Sequence, residues 1–184
     1  MRKLLLLTGD LATGKSTFAH ILSRRYDTPL FFKDAIKEVL GDTIGFADRA
    51  ENKKLSVAAV EVMGLIFSEF GALGKDLILE ANFRTAELEK LHKLAETHRY
   101  QVLTLVFRSD VSLLHQRYLH RIRHENRHRV HLITTFDIFE DFCAYIEEGR
   151  AEAIPGSALH IRADDFSYQT DPALLAKIDA FMGR

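Results

Sequence analysis

A glycine-bounded octet near the start of the chain constrains the fold more than any other feature. Gly9-Asp10-Leu11-Ala12-Thr13-Gly14-Lys15-Ser16 follows four consecutive leucines and precedes a stretch with helical apolar spacing. It matches the pattern G-x-x-x-x-G-K-[ST] without a mismatch. Glycines at both ends permit a tight curl whose N–H groups point inward at phosphate oxygens. We call residues 9–16 the P-loop.

The P-loop pattern assigns a role to each polar residue. Lys15 is expected to reach the β- and γ-phosphates of a nucleoside triphosphate, and the Ser16 hydroxyl is expected to bind Mg²⁺. The dipole of the following helix adds positive potential at the same point. The alternative is a glycine turn with an incidental lysine. The nucleotide-binding residues predicted in this segment are Gly9, Ala12, Thr13, Gly14, Lys15, Ser16 and Thr17.

A P-loop does not by itself separate kinases, GTPases and motor-type ATPases. GTPases also need an N-K-x-D guanine-binding box after a strand. Asn52-Lys53-Lys54-Leu55 lacks the aspartate and is predicted to lie in a polar stretch before a helix. Residues 42–45 spell D-x-x-G but follow no apolar strand, so they are interpreted as a turn. The GTPase hypothesis is therefore weak.

Short apolar runs alternate with helical stripes along the chain, which predicts an α/β fold. Residues with 3- or 4-residue apolar spacing predict helices over 55–73 and 136–146, and Asp171-Pro172 predicts the start of a last helix that ends at Gly183. Wholly apolar strands suit a parallel sheet covered on both faces. The five predicted strands are 4–7, 30–32, 77–79, 102–107 and 159–161.

Length and composition fit one globular domain, 1–184, and exclude several classes of protein. The chain is 47% hydrophobic with a formal charge of −1, so it carries no chain-wide basic field for nucleic acid or anionic lipid. The single cysteine, Cys143, excludes an intramolecular disulfide framework. No signal peptide or run of about 20 apolar residues is evident, so a cytoplasmic protein without a membrane partner is expected.

Acidic residues follow the second and third predicted strands, at the edge of the sheet where α/β proteins bind ligands. Asp34 follows strand 30–32, and Glu80 ends the strand that leads into Asn82 and Arg84. The structural alternatives are that Asp34 caps a helix running to about Leu40 and ending at Gly41, and that Glu80 is an ordinary strand-end acid.

The P-loop, an acid after a short second strand and an apolar strand ending in acid-x-Asn together resemble the P-loop kinases. These include polynucleotide 5′-hydroxyl kinases, gluconate and shikimate kinases, and chloramphenicol phosphotransferase-like enzymes. The resemblance implies a three-layer P-loop NTPase fold with a five-stranded parallel sheet and a helical lid. It also implies ATP and Mg²⁺ as cofactors, Asp34 as the base that accepts the proton of the attacking hydroxyl, and Ser16 with Glu80 as magnesium-holding residues.

The resemblance has two departures from the family pattern. Lys37 stands where the polynucleotide kinase branch has an arginine, and Glu80 stands where the family usually has Asp. A lysine offers no bidentate fork for phosphate. The predicted acceptor-binding residues are Asp34, Lys37, Asn82 and Arg84.

An arginine- and histidine-rich segment resembles the lid of these kinases, predicted over about 115–135. Residues 108–131 contain six arginines and five histidines against two acids. Lid arginines close over the phosphates and stabilise transition-state charge. Arg117, Arg121 and Arg127 are predicted to do so. The alternatives are a solvated basic face, a zinc site formed by His124, His128 and His131, or a nucleic-acid surface.

In the kinases that this chain resembles, the loop after the last strand helps to cover the adenine, so the resemblance implies that Arg162 stacks there. The chain is therefore predicted to be an ATP-dependent kinase that phosphorylates a hydroxyl of a small molecule. The alternatives are a polynucleotide 5′-hydroxyl kinase and an ATPase that acts as a conformational switch. A nucleoside triphosphate and a hydroxyl-bearing acceptor, including a polynucleotide, are the expected partners.

Overall fold

The computed structural model describes residues 2–133 and 135–183. The predicted domain 1–184 and the predicted lid 115–135 also include positions 1, 134 and 184, which lie outside the described residues. The strands are β1 (Arg2–Gly9), β2 (Leu30–Phe32), β3 (Leu77–Glu80), β4 (Tyr100–Arg108) and β5 (Ala158–Arg162). The helices are α1 (Lys15–Tyr26), α2 (Lys33–Ile44), α3 (Arg49–Leu73), α4 (Thr85–Thr97), α5 (Val111–His124), α6 (Phe139–Arg150) and α7 (Pro172–Met182).

The five strands form one parallel sheet in the order β2-β3-β1-β4-β5. In the register, Leu6 of β1 lies beside Leu79 of β3 on one side and Thr104 of β4 on the other. All five strands coincide with the apolar runs of the sequence. The predicted α/β P-loop NTPase fold with a five-stranded parallel sheet is confirmed.

The four leucines of β1 alternate between two cores, which makes the molecule three layers deep. Leu5 and Leu7 pack on the face covered by Phe18 of α1 and Ile178 of α7. Leu4 and Leu6 pack on the opposite face, beneath α3 and α4, with side chains that include Met63, Phe67, Leu88 and Leu91. All four leucines are fully buried, and each such burial contributes about 1.5–3 kcal/mol to folding. Burial on both faces fixes β1 and therefore the start of the P-loop.

Three of the predicted local boundaries are wrong. Helix α2 does not end near Leu40 but continues through Gly41 to Ile44, so residues 42–44 are helical rather than a turn. Gly41 has a packing role instead, because a Cβ there would lie 2.4 Å from Cγ1 of Val130. Helix α6 begins at Phe139 and excludes Phe136. The Asn52 segment lies inside α3 rather than before it.

Both predicted ends of α7 are confirmed. The Asp171 side chain accepts a hydrogen bond from the Ala173 N–H, Pro172 follows the cap, and Gly183 ends the helix with φ +80°. Helix α3 is long and apolar enough to span a membrane by length and composition alone. Its Met63 and Phe67 side chains pack against the sheet, however, and the core helix of a globular protein passes the same test.

Candidate active site

The P-loop adopts a backbone that only its glycines permit at two positions. Gly9 has φ +119°, and a Cβ on it would lie 2.2 Å from the Phe107 carbonyl oxygen of β4. The next residue, Asp10, donates its N–H to that same oxygen at 2.8 Å. Gly14 has φ +82° and Ala12 has φ +57°, so the loop curls tightly between β1 and α1. This is the curled backbone that phosphate binding requires.

Lys15 is buried at the centre of the P-loop. Its Nζ donates to the Asp10 carbonyl oxygen at 2.6 Å, which closes the loop from within. Burial lowers the pKa of Lys15, and the charges of Glu80, Asp10 and Asp34 act in the opposite direction. The charges of the neighbouring carboxylates thus offset part of the cost of burying this ammonium group.

Ser16 and Glu80 come together although 64 residues separate them in the chain. The Ser16 hydroxyl donates to Glu80 Oε2 at 2.9 Å. Burial raises the pKa of Glu80, while the Lys15 charge and the Ser16 hydrogen bond lower it. Mg²⁺ prefers oxygen ligands at 2.0–2.1 Å in an octahedron, where neighbouring ligands are about 3 Å apart. The chemistry and spacing of these two oxygens therefore fit a magnesium ion.

A cavity of about 860 Å³ separates the P-loop from α5 and from the segment after β5. Arg117 of α5 lies with its guanidinium 4.6 Å from the centre of the Phe166 ring at the edge of this cavity. A planar guanidinium on an aromatic ring forms a flat surface on which a nucleobase can stack. The cavity is lined by Ala12, Thr13, Gly14, Lys15, Ser16, Thr17, Leu113, Gln116, Arg117, His120, Arg121, Glu125, Phe166 and Gln169.

Two arginines lie elsewhere than their predicted roles require. Arg117 donates to the carbonyl oxygens of Ala163 at 2.8 Å and Asp164 at 2.6 Å, so it fixes the segment after β5 instead of projecting to the γ-phosphate. Arg162 is exposed, pairs with Asp164 and does not line the nucleotide cavity. Phe166 and Gln169 occupy the position that Arg162 was predicted to take. No local sequence pattern indicates this exchange, because the partners belong to different elements.

Asp34 lies in the first turn of α2, but Phe32 is the N-cap residue, so the capping alternative is wrong. The Asp34 side chain is exposed and accepts no hydrogen bond from the residues within 2–133 and 135–183. Its charge nevertheless acts on Lys15, Glu80 and Arg127. The Asp34 carboxylate is thus close to the P-loop and open to solvent.

Lys37 does not reach the acceptor side of the site as predicted. Its Nζ donates to Asn52 Oδ1 at 2.7 Å and to the Val130 carbonyl oxygen at 3.4 Å, and the residue is buried. Burial lowers the pKa of Lys37, and the Asp34 charge acts in the opposite direction. A lysine in the place of the family's arginine is here an internal contact between α2, α3 and the lid.

Two of the predicted lid arginines, Arg121 and Arg127, lie on the side of the lid that faces the P-loop. The Arg121 charge lowers the pKa of both Lys15 and Glu80. Arg121 also pairs with Glu125, directly after α5, at 3.2 Å. Burial lowers the pKa of Arg127, and the Arg121 charge lowers it further. The Arg127 guanidinium makes no hydrogen bond or ion pair with the described part of the chain. Two neighbouring guanidinium groups attract an anion to this point.

Asn82 and Arg84 lie against α6 rather than in open space. Burial raises the pKa of Tyr145 on α6, whereas the Arg84 charge and the Asn82 side chain lower it. Arg84 pairs with Glu148 at 3.3 Å and Glu152 at 3.4 Å. Both residues line a small cavity of about 40 Å³ beside the P-loop. The Asp34 charge also acts on Tyr145, so this corner adjoins the proton-accepting carboxylate.

Two contacts to the P-loop were not anticipated from the sequence. Arg150, the last residue of α6, pairs with the buried Asp10 carboxylate at 2.6 Å. The Tyr168 hydroxyl donates to the Thr13 carbonyl oxygen at 2.8 Å. Both partners are more than 130 residues away in sequence, and neither belongs to a recognisable motif.

The zinc alternative finds no support in the described residues, 2–133 and 135–183, which contain no metal-binding group of three such side chains. His128 faces Asp42 at 3.0 Å and His131 faces Glu38 at 2.8 Å, both on α2, whereas the His124 ring lies against that of His120. The three predicted zinc ligands therefore have separate partners.

Comparison with known proteins agrees with this geometry. The family model described as "AAA domain" matches residues 4–137. A solved protein from Chloroflexus aurantiacus J-10-fl, described as a candidate kinase, is 26% identical with a TM-score of 0.81, and the alignment covers 98% of each chain. Comparison with curated protein sequences gave no match.

Two more distant solved structures share the fold. The shikimate kinase of Bacteroides thetaiotaomicron is 14% identical, with a TM-score of 0.59 and 98% of each chain covered. The gluconokinase of Sinorhizobium meliloti 1021 is 12% identical, with a TM-score of 0.55, covering 100% of this chain and 94% of that one. At these identities the similarity shows the fold alone.

Proposed function

Because this chain belongs to the AAA domain family and has the P-loop kinase fold, we propose that it is an ATP-dependent kinase. It transfers the γ-phosphoryl group of ATP to a hydroxyl group of a small molecule. The observation that carries the proposal is the position of Asp34. Its unbonded carboxylate lies close enough to Lys15, Glu80 and Arg127 for its charge to raise the pKa of all three groups.

The nucleotide occupies the cavity between the P-loop and α5 in this proposal. The P-loop N–H groups and Lys15 hold the β- and γ-phosphates, and the base lies toward Arg117 and Phe166 at the other end. The contacts that Lys15 makes with Asp10 and Thr13 keep its ammonium in place before the nucleotide arrives. Such preorganised charge is worth more in a desolvated site than in water.

Ser16 and Glu80 would hold the Mg²⁺ ion, which when bound neutralises charge on the phosphate oxygens. Burial raises the pKa of Glu80, and the neighbouring Lys15 charge offsets part of that effect. The 2.9 Å between the two oxygens requires no rearrangement of β3 or α1 for both to face one ion.

Asp34 acts as the general base toward the acceptor. It orients the hydroxyl and takes its proton as the oxygen attacks the γ-phosphorus, and the bond to the β–γ bridging oxygen breaks. Arg121 and Arg127 stabilise the charge on the transferring group. Asn82, Arg84 and Tyr145 lie on the same side as Asp34 and are the side chains that the acceptor meets.

The experiment that tests this proposal uses labelled ATP with Mg²⁺ and a panel of acceptors. The panel contains sugars, sugar acids, nucleosides, antibiotics and a 5′-hydroxyl oligonucleotide. Label that appears in one small molecule, and only with intact Lys15 and Asp34, supports the proposal. Label in the oligonucleotide alone favours the polynucleotide kinase alternative. Steady ATP hydrolysis that no acceptor stimulates favours the conformational-switch alternative and contradicts the kinase proposal.

A further inference from the structure

The Val130 carbonyl oxygen accepts two hydrogen bonds from distant elements. Val130 lies in the part of the lid that follows α5. Asn52 Nδ2 of α3 donates to it at 3.0 Å, and Lys37 Nζ of α2 donates at 3.4 Å. Lys37 and Asn52 are also bonded to each other at 2.7 Å. All three residues are buried. One carbonyl group thus joins α2, α3 and the lid.

The Val130 side chain reinforces this junction. It fills a notch over Gly41 of α2, where a Cβ would lie 2.4 Å from Cγ1 of Val130. Arg129 Nη2 donates to the Gly41 carbonyl oxygen at 3.0 Å. We call the set Lys37, Gly41, Asn52 and Val130 the Val130 anchor.

Burying the Lys37 ammonium in the anchor costs free energy of desolvation, so the anchor is a poor arrangement if its role is stability alone. A buried ammonium without a bonded carboxylate in the described part of the chain loses hydration that two neutral oxygens replace only in part. An apolar side chain of similar volume would fill the same space without that cost. Directional hydrogen bonds, by contrast, define where a main-chain segment lies.

Arg127 lies three residues before Val130 and just beyond the end of α5 at His124. Three residues span at most about 10 Å, so a fixed Val130 restricts where the Arg127 main chain can go. The Arg127 guanidinium has no bonded partner within 2–133 and 135–183, and the charges of Arg121, Asp34, Glu125 and Glu38 act on it. Its position therefore depends on its main chain rather than on side-chain bonds.

We propose that the Val130 anchor is a fixed pivot of the lid that holds Arg127 beside the P-loop, where it lines one cavity with Leu11 and Ala12. Lys37 and Asn52 are then positioning residues for phosphoryl transfer. This inference rests on the proposed kinase function. The moving part of the lid then ends near Arg127, and the segment 128–131 stays bound to α2 when the lid opens. A lysine at position 37 serves the reaction through the lid rather than through contact with phosphate.

Two variants break the anchor at different bonds. Asn52→Asp keeps the shape and the acceptor for Lys37 but loses the donor to the Val130 carbonyl. Lys37→Met removes the ammonium and keeps the bond from Asn52. Asp42→Asn is the matched control, because Asp42 contacts His128 at the exposed edge of the same segment.

The first measurement needs no catalytic activity. Trypsin cleaves after arginine. Arg127 immediately precedes the anchored segment 128–131, and Arg129 lies within it. Cleavage after these two residues, in the absence of nucleotide, is expected to be several-fold faster in Asn52→Asp and Lys37→Met than in the wild type or Asp42→Asn. Unchanged cleavage in both variants would overturn the proposal, whether or not the protein is a kinase.

The second measurement separates positioning from folding. Asn52→Asp is expected to lower kcat by about 10- to 100-fold while the KM for ATP stays within about twofold. In an Arg127→Ala background, the same substitution is expected to have no further effect, because the group that it positions is gone. An equal loss in both backgrounds would overturn the proposal. If wild-type protein transfers phosphate to no acceptor, the kinase function fails, and the trypsin result still decides whether the anchor exists.

Discussion

The Asp10 carboxylate and the Arg150 guanidinium form an ion pair, with 2.6 Å between Oδ2 and Nη2, that joins the second residue of the P-loop to the last residue of α6. The same guanidinium donates to the Ser109 carbonyl oxygen at 2.6 Å, and the Ser109 N–H donates back to Asp10. The hydrogen bond that Arg150 donates to Asp10 raises the pKa of Arg150 above its ordinary value. The P-loop is thus fixed by α6 as well as by β1.

Replacing Arg150 by methionine is expected to destabilise the protein and weaken its affinity for ATP. Asp10 is only 4% exposed at its side chain, so the change leaves a buried carboxylate without its partner, at a cost of about 3 kcal/mol. For a chain of this length that lowers Tm by roughly 6–12 °C. Arg162→Ala is the control, because the Arg162 side chain is 84% exposed and an ion pair in contact with solvent adds little to stability. Equal melting temperatures for the two variants would contradict this account of Arg150.

Lys15→Ala is expected to abolish phosphoryl transfer and to weaken ATP binding. The substitution removes the charge that the P-loop presents to the β- and γ-phosphates. Isothermal titration with ATP and the labelled-acceptor assay measure the two effects. Lys54→Ala, which removes an exposed lysine of α3, is the control and should change neither. Near-normal transfer by Lys15→Ala would show that the octet does not bind the transferred phosphate.

Asp34→Asn is expected to lower kcat by roughly 10²–10⁴-fold, because it removes the group that accepts the hydroxyl proton. The affinity for ATP should stay within a few-fold, since Asp34 contacts no phosphate in the proposal. Stability should change by at most about 1 kcal/mol, the value of an acid in the first turn of a helix. Turnover, ATP affinity and Tm of the same preparation test all three statements. An Asp34→Asn protein with normal acceptor turnover would remove Asp34 from the reaction.

A pair of glycine substitutions tests the close approach of β1 and β4. Gly9→Ala places a Cβ 2.2 Å from the Phe107 carbonyl oxygen at φ +119°, so we expect loss of the folded state or a decrease in stability of at least about 3 kcal/mol. Gly149→Ala, in the last turn of α6, meets no atom within 4 Å and should stabilise the helix by about 0.5–1 kcal/mol. Denaturant titration of both variants measures the difference. A folded Gly9→Ala protein of ordinary stability would mean that β4 can move away from the P-loop.

The features that could be predicted from the sequence are those specified by residues close to one another in the chain. They are the octet 9–16, the five strands and the caps of α7. Gly41 shows where this fails: glycine often ends a helix, but here it accommodates Val130, which follows 89 residues later. No local pattern contains that contact.

The candidate site divides in the same way. Ser16, Lys15 and Glu80 could be placed because each adjoins a strand end whose position the topology determines. The predicted roles of three basic residues were wrong because distant elements determine where these side chains lie. Lys37 bonds to Asn52 of α3, and Arg117 bonds to Ala163 after β5. Phe166 lines the cavity where Arg162 was predicted to lie. Arg150 and Tyr168 went unnoticed for the same reason. A single sequence shows charge but not the direction in which a long side chain points.

The stacked pair of Arg117 and Phe166 also gives the protein a convenient optical probe. The chain contains no tryptophan, so indole emission from a single introduced residue would stand alone against five tyrosines. Phe166 is half-exposed and lines the nucleotide cavity, and a tryptophan there would keep an aromatic ring beneath the guanidinium. Its fluorescence would follow nucleotide entry and departure in real time, without radioactivity and before any acceptor has been identified.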